Sequence, residues 1–403
     1  MAGVFTPDIV SDKPEIMIPN IPIKDYAAYI RPTDDEKAVE LGKKVCEEIT
    51  ANFIADFERT EEYCKKHGEE NPDKMVHVPT FTIIDGMVYM TYYANIGAAS
   101  ETPDQQEARL AYCPLDNPED MTVVTVQKVG DLVDGQPIKM VYDTILMHKD
   151  NKELYLLWTA STGKYYRFYC VFDIETKTMG PVQVNRFKVG DIVNDFSTSG
   201  IINALSANGI GHDKFFSDIG IMQKMSTREE NGETYYYSGA YSGLWTSVIK
   251  SKDFITWEYV AEPDFDNCSK WENATYVLDD KVYYFVRQDE TEVLHAFLTV
   301  YDLKTGKWER PVVVRDCQSR SDFIEYDGEL YLFHAPRDRN GFGLLKINRE
   351  DISKTEVVFV ADMGSSLFYA FYKPYGDDVY MAYTVNREHI RFTKFNLKKF
   401  LEK

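Results

Sequence analysis

The chain is poor in the residues and runs that most readily assign a protein to a class. Its six cysteines (Cys46, Cys64, Cys113, Cys170, Cys268 and Cys317) are scattered singly through 403 residues, with no CxxC pair. That is reduced, intracellular usage and excludes a disulfide framework. Seven histidines include no HxxxH pair, so no metal site and no cofactor is expected from spacing. No run of about 18 apolar residues could span a bilayer. The start, MAGVFTPDIVSDKPEI, lacks the basic and apolar regions of a secretory signal, and a cytoplasmic location is the expectation. Basic residues are in deficit, 45 against 65 acidic, for a formal net charge of −20. Nucleic acid and anionic membranes are therefore excluded as partners, whereas an anionic small substrate depends only on local charge.

Aromatic residues are abundant, at 14%, as suits sheets packed against one another. They recur in one pattern, an apolar strand, an Asp/Gly/Asn turn and an aromatic strand. It appears as VPTFTIIDGMVYMTYY (78–93), YDTILMHKDNKELYLLW (142–158), SDIGIMQKMSTREENGETYYYSG (217–239), VLDDKVYYF (277–285), IEYDGELYLF (324–333) and YKPYGDDVYMAY (372–383). Six hairpin cores, the later ones about fifty residues apart, predict an all-β fold, a six-bladed β-propeller closed as one ring. SKDFITW (251–257) and YDLKTGKWE (301–309) resemble loose versions of the S-x-D-x-G-x-T-W turn of propeller glycosidases.

The expected organisation is an N-terminal extension, 1–70, on a propeller, 71–403. Residues 33–67 carry the one strong helical pattern, with Thr33 or Asp34 as cap and Val39, Leu41, Val45, Ile49, Phe53, Ile54 and Phe57 at helical spacing. Such a helix packs on the ring's side or rim, or else mates with a second copy in a homo-oligomer or lids the site. Two long loops stand out. Residues 94–109 hold the carboxylates Glu101 and Asp104, and 190–218 end in His212 and Asp213, so that this stretch either lines a pocket or caps a blade.

Chemistry gathers in the second half. Glu272 opens an inner strand, Arg287 ends its hairpin partner, Arg339 lies in the next blade's DRNG turn, and Tyr369 heads the last blade's first strand. Inner strands of a propeller converge on its axis, so these four can share one pocket.

These residues, with Cys317-Gln318-Ser319-Arg320, Arg339-Asn340-Gly341 and the closing strand Ile390-Arg391-Phe392-Thr393-Lys394-Phe395-Asn396-Leu397, resemble the sialidase (neuraminidase) family over 271–400 and, more weakly, over 76–110. The resemblance implies a retaining exo-glycosidase acting on a glycan that ends in an acidic sugar. Tyr369 would be its nucleophile, Glu272 the base for the phenol, and Arg287 and Arg339 a clamp on the sugar carboxylate. A neutral phenol suits such a substrate because a carboxylate nucleophile would be repelled. For the general acid the resemblance points to Asp104, with Glu101 beside it.

One departure is plain. Where the family has its first arginine, this chain has Val76-His77-Val78-Pro79, and histidine cannot supply a bidentate fork. The clamp is then incomplete unless Arg109 or Arg320 reaches in, and His77 becomes a sugar ligand, an acid/base or a structural residue. The substrate could accordingly be a modified nonulosonate or a uronic acid. Tyrosine and histidine beside arginine-held sugar acid also suit β-elimination by a lyase. Two other classes remain: a five-bladed glycosidase with three carboxylates, drawing on SKDFITW, Asp218 and Glu272, and a non-catalytic carbohydrate-binding propeller.

Overall fold

The turns follow directly from local sequence. Asp85-Gly86, Asn231-Gly232 and Asp327-Gly328 pair φ values of 49 and 75°, 53 and 81°, and 50 and 74°. Two consecutive left-handed residues match the twist of a two-residue hairpin, and Asp, Asn and Gly tolerate them best. The structure, a computed structural model, describes residues 25–149, 152–211, 218–242, 245–263, 272–288, 295–317, 319–336 and 339–401. Expectations for residues 1–24, His212, Asp213, Cys268 and Gln318 fall outside the described residues.

Six large sheets follow one another along the chain. The first runs in order from Met75–Ile84 through Met87–Asn95 and Gln106–Pro114 to Thr122–Lys128. The second begins with Met140–His148, Glu153–Ser161 and Tyr165–Asp173. The third holds Gly220–Ile221, Ser226–Glu230, Glu233–Ser242, Trp245–Ser251 and Thr256–Ala261, extended by Arg186–Val189 and Ile192–Asp195. The fourth starts with Asn273–Leu278, Lys281–Gln288 and His295–Asp302, the fifth with Asp322–Tyr326, Glu329–His334 and Gly341–Lys346, and the sixth with Leu367–Tyr375, Asp378–Val385 and His389–Phe395. All six hairpin cores lie within these sheets.

Apolar residues on both faces of each sheet have to be covered by a neighbour. One hydrophobic cluster lies between each successive pair of sheets, and another lies between the sixth sheet (Phe371, Ile390, Phe392) and the first (Phe81, Val88, Met90). The leading strand Met75–Ile84 touches both Met140–His148 and Leu367–Tyr375. Ser251 and Asp253 tie the SKDFITW turn, Asp253 accepting the backbone N–H groups of Ile255 and Thr256 at 2.9 and 2.8 Å. Asp302 does the same for Lys304 and Thr305, and so does Asp173 for Glu175 and Thr176, a third turn of this kind that sequence analysis did not single out.

The N-terminal helix differs from expectation. Residues 33–67 form a helix α1, Glu36–Ala51, then a strand, Phe53–Asp56, then a short helix α2, Glu61–His67. The cap of α1 is Asp35, whose carboxylate accepts the N–H groups of Lys37 and Ala38 at 3.0 Å. After Asn52 the backbone finds better partners than a helix offers, because Phe53–Asp56 adds antiparallel to the open edge strand His389–Phe395. Glu58 pins this junction, accepting Ile390 N–H at 2.9 Å and His389 Nδ1 at 2.6 Å.

The apolar face of α1 (Ala38, Gly42, Val45, Ile49) is buried against Glu356–Asp362, the fifth sheet's outer strand. At Gly42 a Cβ would stand 1.8 Å from the Val360 carbonyl oxygen, so only glycine permits this approach. That face is therefore occupied within the chain and is not free to mate with a second copy. Further upstream, Ala28–Ile30 pairs in parallel with Val312–Arg315 of the fourth sheet. The 190–218 stretch also departs from expectation by containing a helix, α3, Thr198–Ala207, whose Ile201, Ala204 and Leu205 fill the core between the second and third sheets. Among the described residues no helix is long and apolar enough to cross a membrane, and Cys46, Cys64, Cys113, Cys170 and Cys317 are free thiols.

Candidate active site

Three leading strands share an irregularity at the same level. Each has a register shift, next to His77, next to Asp143 and next to Tyr369, and each places a non-glycine residue in the left-handed region: Val78 at φ 57°, Asp143 at 55° and Tyr369 at 49°. Such a conformation costs on the order of 1–3 kcal/mol per residue and is held only where the surroundings demand it. A bulge re-aims the side chains beside it, and here it brings His77, Asp143 and Tyr369 together from the first, second and sixth sheets. Gly220 of the third sheet makes room, since a Cβ there would meet the Tyr241 ring at 2.1 Å and Asp143 Oδ2 at 2.5 Å.

The result is a buried chain of charges. Arg320, just ahead of Asp322–Tyr326, donates through Nε to Glu272 Oε1 at 3.0 Å and through Nη2 to Asp143 Oδ1. Asp143 in turn accepts Arg167 Nη1 at 3.1 Å and the Tyr241 hydroxyl at 3.3 Å. On the other side Arg287 Nη1 reaches Glu272 Oε2 and the Tyr369 hydroxyl, the latter at 3.1 Å. The Tyr369 ring stacks on His77 with centroids 4.6 Å apart, and the Arg320 guanidinium stands 4.8 Å from its centre. Asp143, Arg167, Glu272, Arg287 and Arg320 are all buried.

These neighbours set the protonation states. Burial would raise the Glu272 carboxyl, but Arg287 and Arg320, aided by a hydrogen bond from Tyr369, outweigh it and hold the group at about 2. Burial, and then the Glu272 charge, push the Tyr369 phenol above its ordinary range. His77 is held far below the usual imidazole range by burial and then by Arg387, Arg320, Arg339 and Arg287, so its ring is neutral. Tyr369 thus stands as a phenol beside the Glu272 carboxylate, with the neutral His77 imidazole among four guanidiniums. Glu272 must also leave a mark on stability. Its folded value lies below the ordinary 4.5, so its contribution is complete above pH 4.5 and is lost as pH falls towards 2. Unfolding free energies of the wild type and Glu272→Gln are expected to have different pH slopes in that window, and parallel curves would refute the assignment.

Of the residues singled out from sequence, Glu272, Arg287, Arg320, Tyr369 and His77 come together here. Arg339 and Glu101 lie at the rim. Arg339 packs 5.5 Å from the Phe368 ring centre, and Glu101 accepts the Tyr93 hydroxyl at 2.6 Å. Two do not join them. Arg109 is committed to Glu107 at 2.8 Å and Asp73 at 3.3 Å, and Asp104 is exposed in a single turn of 3-10 helix, Pro103–Gln105. Sequence reasoning overlooked Asp143, Arg167, Tyr241 and Arg387. Only Arg167 carried a signal, as a charge in the middle of the aromatic strand Tyr165–Asp173.

In its sheets and their order the molecule has a sialidase-like fold, in the class of β-propellers that the sialidases define. No protein-family model and no curated protein sequence matches the chain. Among solved structures, Trypanosoma rangeli sialidase in complex with the inhibitor DANA superposes with a TM-score of 0.53 at 15% identity, over 81% of this chain and 56% of that one. A Hadza microbial sialidase gives 0.56 at 11% identity, over 81% and 66%. A protein of unknown function from Dyadobacter fermentans gives 0.52 at 11% identity, over 79% and 94%. The chain thus spans little more than half the length of the T. rangeli enzyme, and at these identities the likeness establishes the fold alone.

Proposed function

We propose that this protein is a retaining exo-glycosidase of sialidase type, working on a six-bladed ring formed by residues 71–403, with 25–70 strapped across its outside. The six inter-sheet cores support the ring and weigh against the five-bladed, three-carboxylate alternative. The observation that carries the function is the Tyr369 hydroxyl, lodged between the Arg287 guanidinium and the Glu272 carboxylate. In a protein of net charge −20, four guanidiniums around one ring mark a site for an anion.

Before substrate binds, the proton stays on Tyr369, because Glu272 is held acidic by two arginines. An acidic sugar whose carboxylate engages Arg287 takes part of that cation away from Glu272. The carboxylate then becomes more basic and accepts the phenol proton as Tyr369 Oη bonds to the anomeric carbon. The glycosidic bond breaks, and the leaving oxygen takes a proton from the 96–105 loop. Glu101, tied to Tyr93, is the better placed donor there, ahead of Asp104. Water then releases the sugar with retention.

A second reading draws on the His77–Tyr369 stack, which also suits proton transfer in β-elimination on a uronic acid. Incubation with a panel of sialosides and uronosides, followed by mass spectrometry, separates them. Hydrolysis adds water to the products, whereas elimination leaves an unsaturated sugar absorbing in the ultraviolet. If no member of the panel is turned over, a binding propeller without chemistry is the remaining reading.

A further inference from the structure

Arg387 takes no part in the reaction sketched above, yet it lies beside the one position where the expected arginine set is broken. It sits in the turn between Asp378–Val385 and His389–Phe395, at φ 61°, and its carbonyl accepts the Val76 N–H at 2.8 Å. That backbone bond fixes the turn of the sixth sheet next to His77 of the first. The Arg387 guanidinium packs on the Phe368 ring, 4.7 Å from its centre, and Arg339 packs 5.5 Å from the same centre. Phe368 also contacts His77, with ring centroids 5.7 Å apart. In both arginines Nε is buried without a hydrogen-bond partner among the described residues, leaving donor capacity directed at no protein group.

The remaining contact of Arg387 is informative. Its Nη2 stands 3.3 Å from Glu101 Oε2, and the other Glu101 oxygen is held by the Tyr93 hydroxyl. Tyr93 packs edge-on against His77, 5.6 Å away. A loop carboxylate therefore neutralises the guanidinium, with both side chains still about one-third exposed and able to exchange partners.

We propose that Arg387 is the third guanidinium of the carboxylate clamp, entering from the sixth sheet to replace the arginine absent at His77, and that Glu101 holds it until the ligand's carboxylate takes over. The assignment rests on the acidic-sugar reading. It gives His77 a different task, a neutral surface stacked on Tyr369 beneath the clamp. It also couples binding to the loop: once Arg387 turns to the ligand, Glu101 loses its cation.

The test is calorimetric titration of the full chain with N-acetylneuraminic acid, its 2,3-didehydro derivative and D-glucuronic acid, with the methyl ester of the best binder as a neutral control. Arg387→Ala is expected to weaken the free acid about 30-fold and to leave the ester unchanged. Arg387→Lys should fall between, because an ammonium keeps the charge and loses the fork. Glu101→Gln should tighten the acid several-fold, since it removes the competing anion. Opposite signs at these two positions are something a merely structural role would not give. If the wild type binds none of the acids, the acidic-sugar reading fails and the clamp with it. If the wild type binds and Arg287→Ala abolishes binding while Arg387→Ala does not alter it, only the assignment of Arg387 is overturned. Should Arg387→Ala not fold, the Lys and Gln variants decide by the same signs.

Discussion

Replacing Tyr369 with phenylalanine is expected to lower turnover by at least about a thousandfold while leaving ligand affinity and thermal unfolding close to those of the wild type. The change is nearly isosteric. Phenylalanine keeps the stack on His77 and the face presented to Arg320, and deletes only the hydroxyl that meets Arg287 at 3.1 Å. Because that oxygen forms the covalent bond in the proposed reaction, its loss removes the chemical path rather than the binding site. Steady-state kinetics on the substrate found by the glycoside panel, with calorimetry on the product sugar, measure both parts. Turnover within tenfold of the wild type would take the nucleophile's role away from Tyr369 and leave the sialidase reading without its central atom.

Asp143→Ala has the largest expected effect on stability. Two buried carboxylates, Asp143 and Glu272, face three buried guanidiniums, those of Arg167, Arg287 and Arg320. Asp143 is the carboxylate on Arg167 and one of the two on Arg320, so alanine leaves a buried cation unpartnered and another half-paired. Breaking such a pair costs about 3–5 kcal/mol, because the remaining charge stays out of water without compensation. Denaturant unfolding measures the loss. Asp143→Ala combined with Arg167→Met should recover part of it, since the orphaned charge is removed as well. A loss below about 1 kcal/mol would mean that water, rather than Asp143, solvates these guanidiniums. The pairing commits Nε of Arg320 to Glu272 and its Nη2 to Asp143, and in the proposed reaction this holds Glu272 beside Tyr369.

The hairpins were legible because their information is local. Alternating strands and turns such as Asp85-Gly86 lie within some twenty residues and need no distant partner to be recognised. Glu272, Arg287 and Tyr369 could be set against the repeat from the sequence, and the structure brings the three together. Residues 53–57 were misread for the opposite reason. Phe53, Ile54 and Phe57 fit helical spacing, but the free edge of His389–Phe395, more than three hundred positions away, offers their backbone a ladder. Arginine posed the same problem in electrostatic form. Arg109 and Arg387 both belong to β-hairpins, and nothing near either one in the sequence tells which carboxylate it will meet.

Chain order and hairpin boundaries were thus contained in the residues themselves, since near-neighbour sterics and hydrophobic alternation act over a few positions. The partners of each charge were settled only when the sheets packed. Arg320 and Asp143 lie 177 positions apart, and their attraction matters only because burial removes the water that would otherwise screen it.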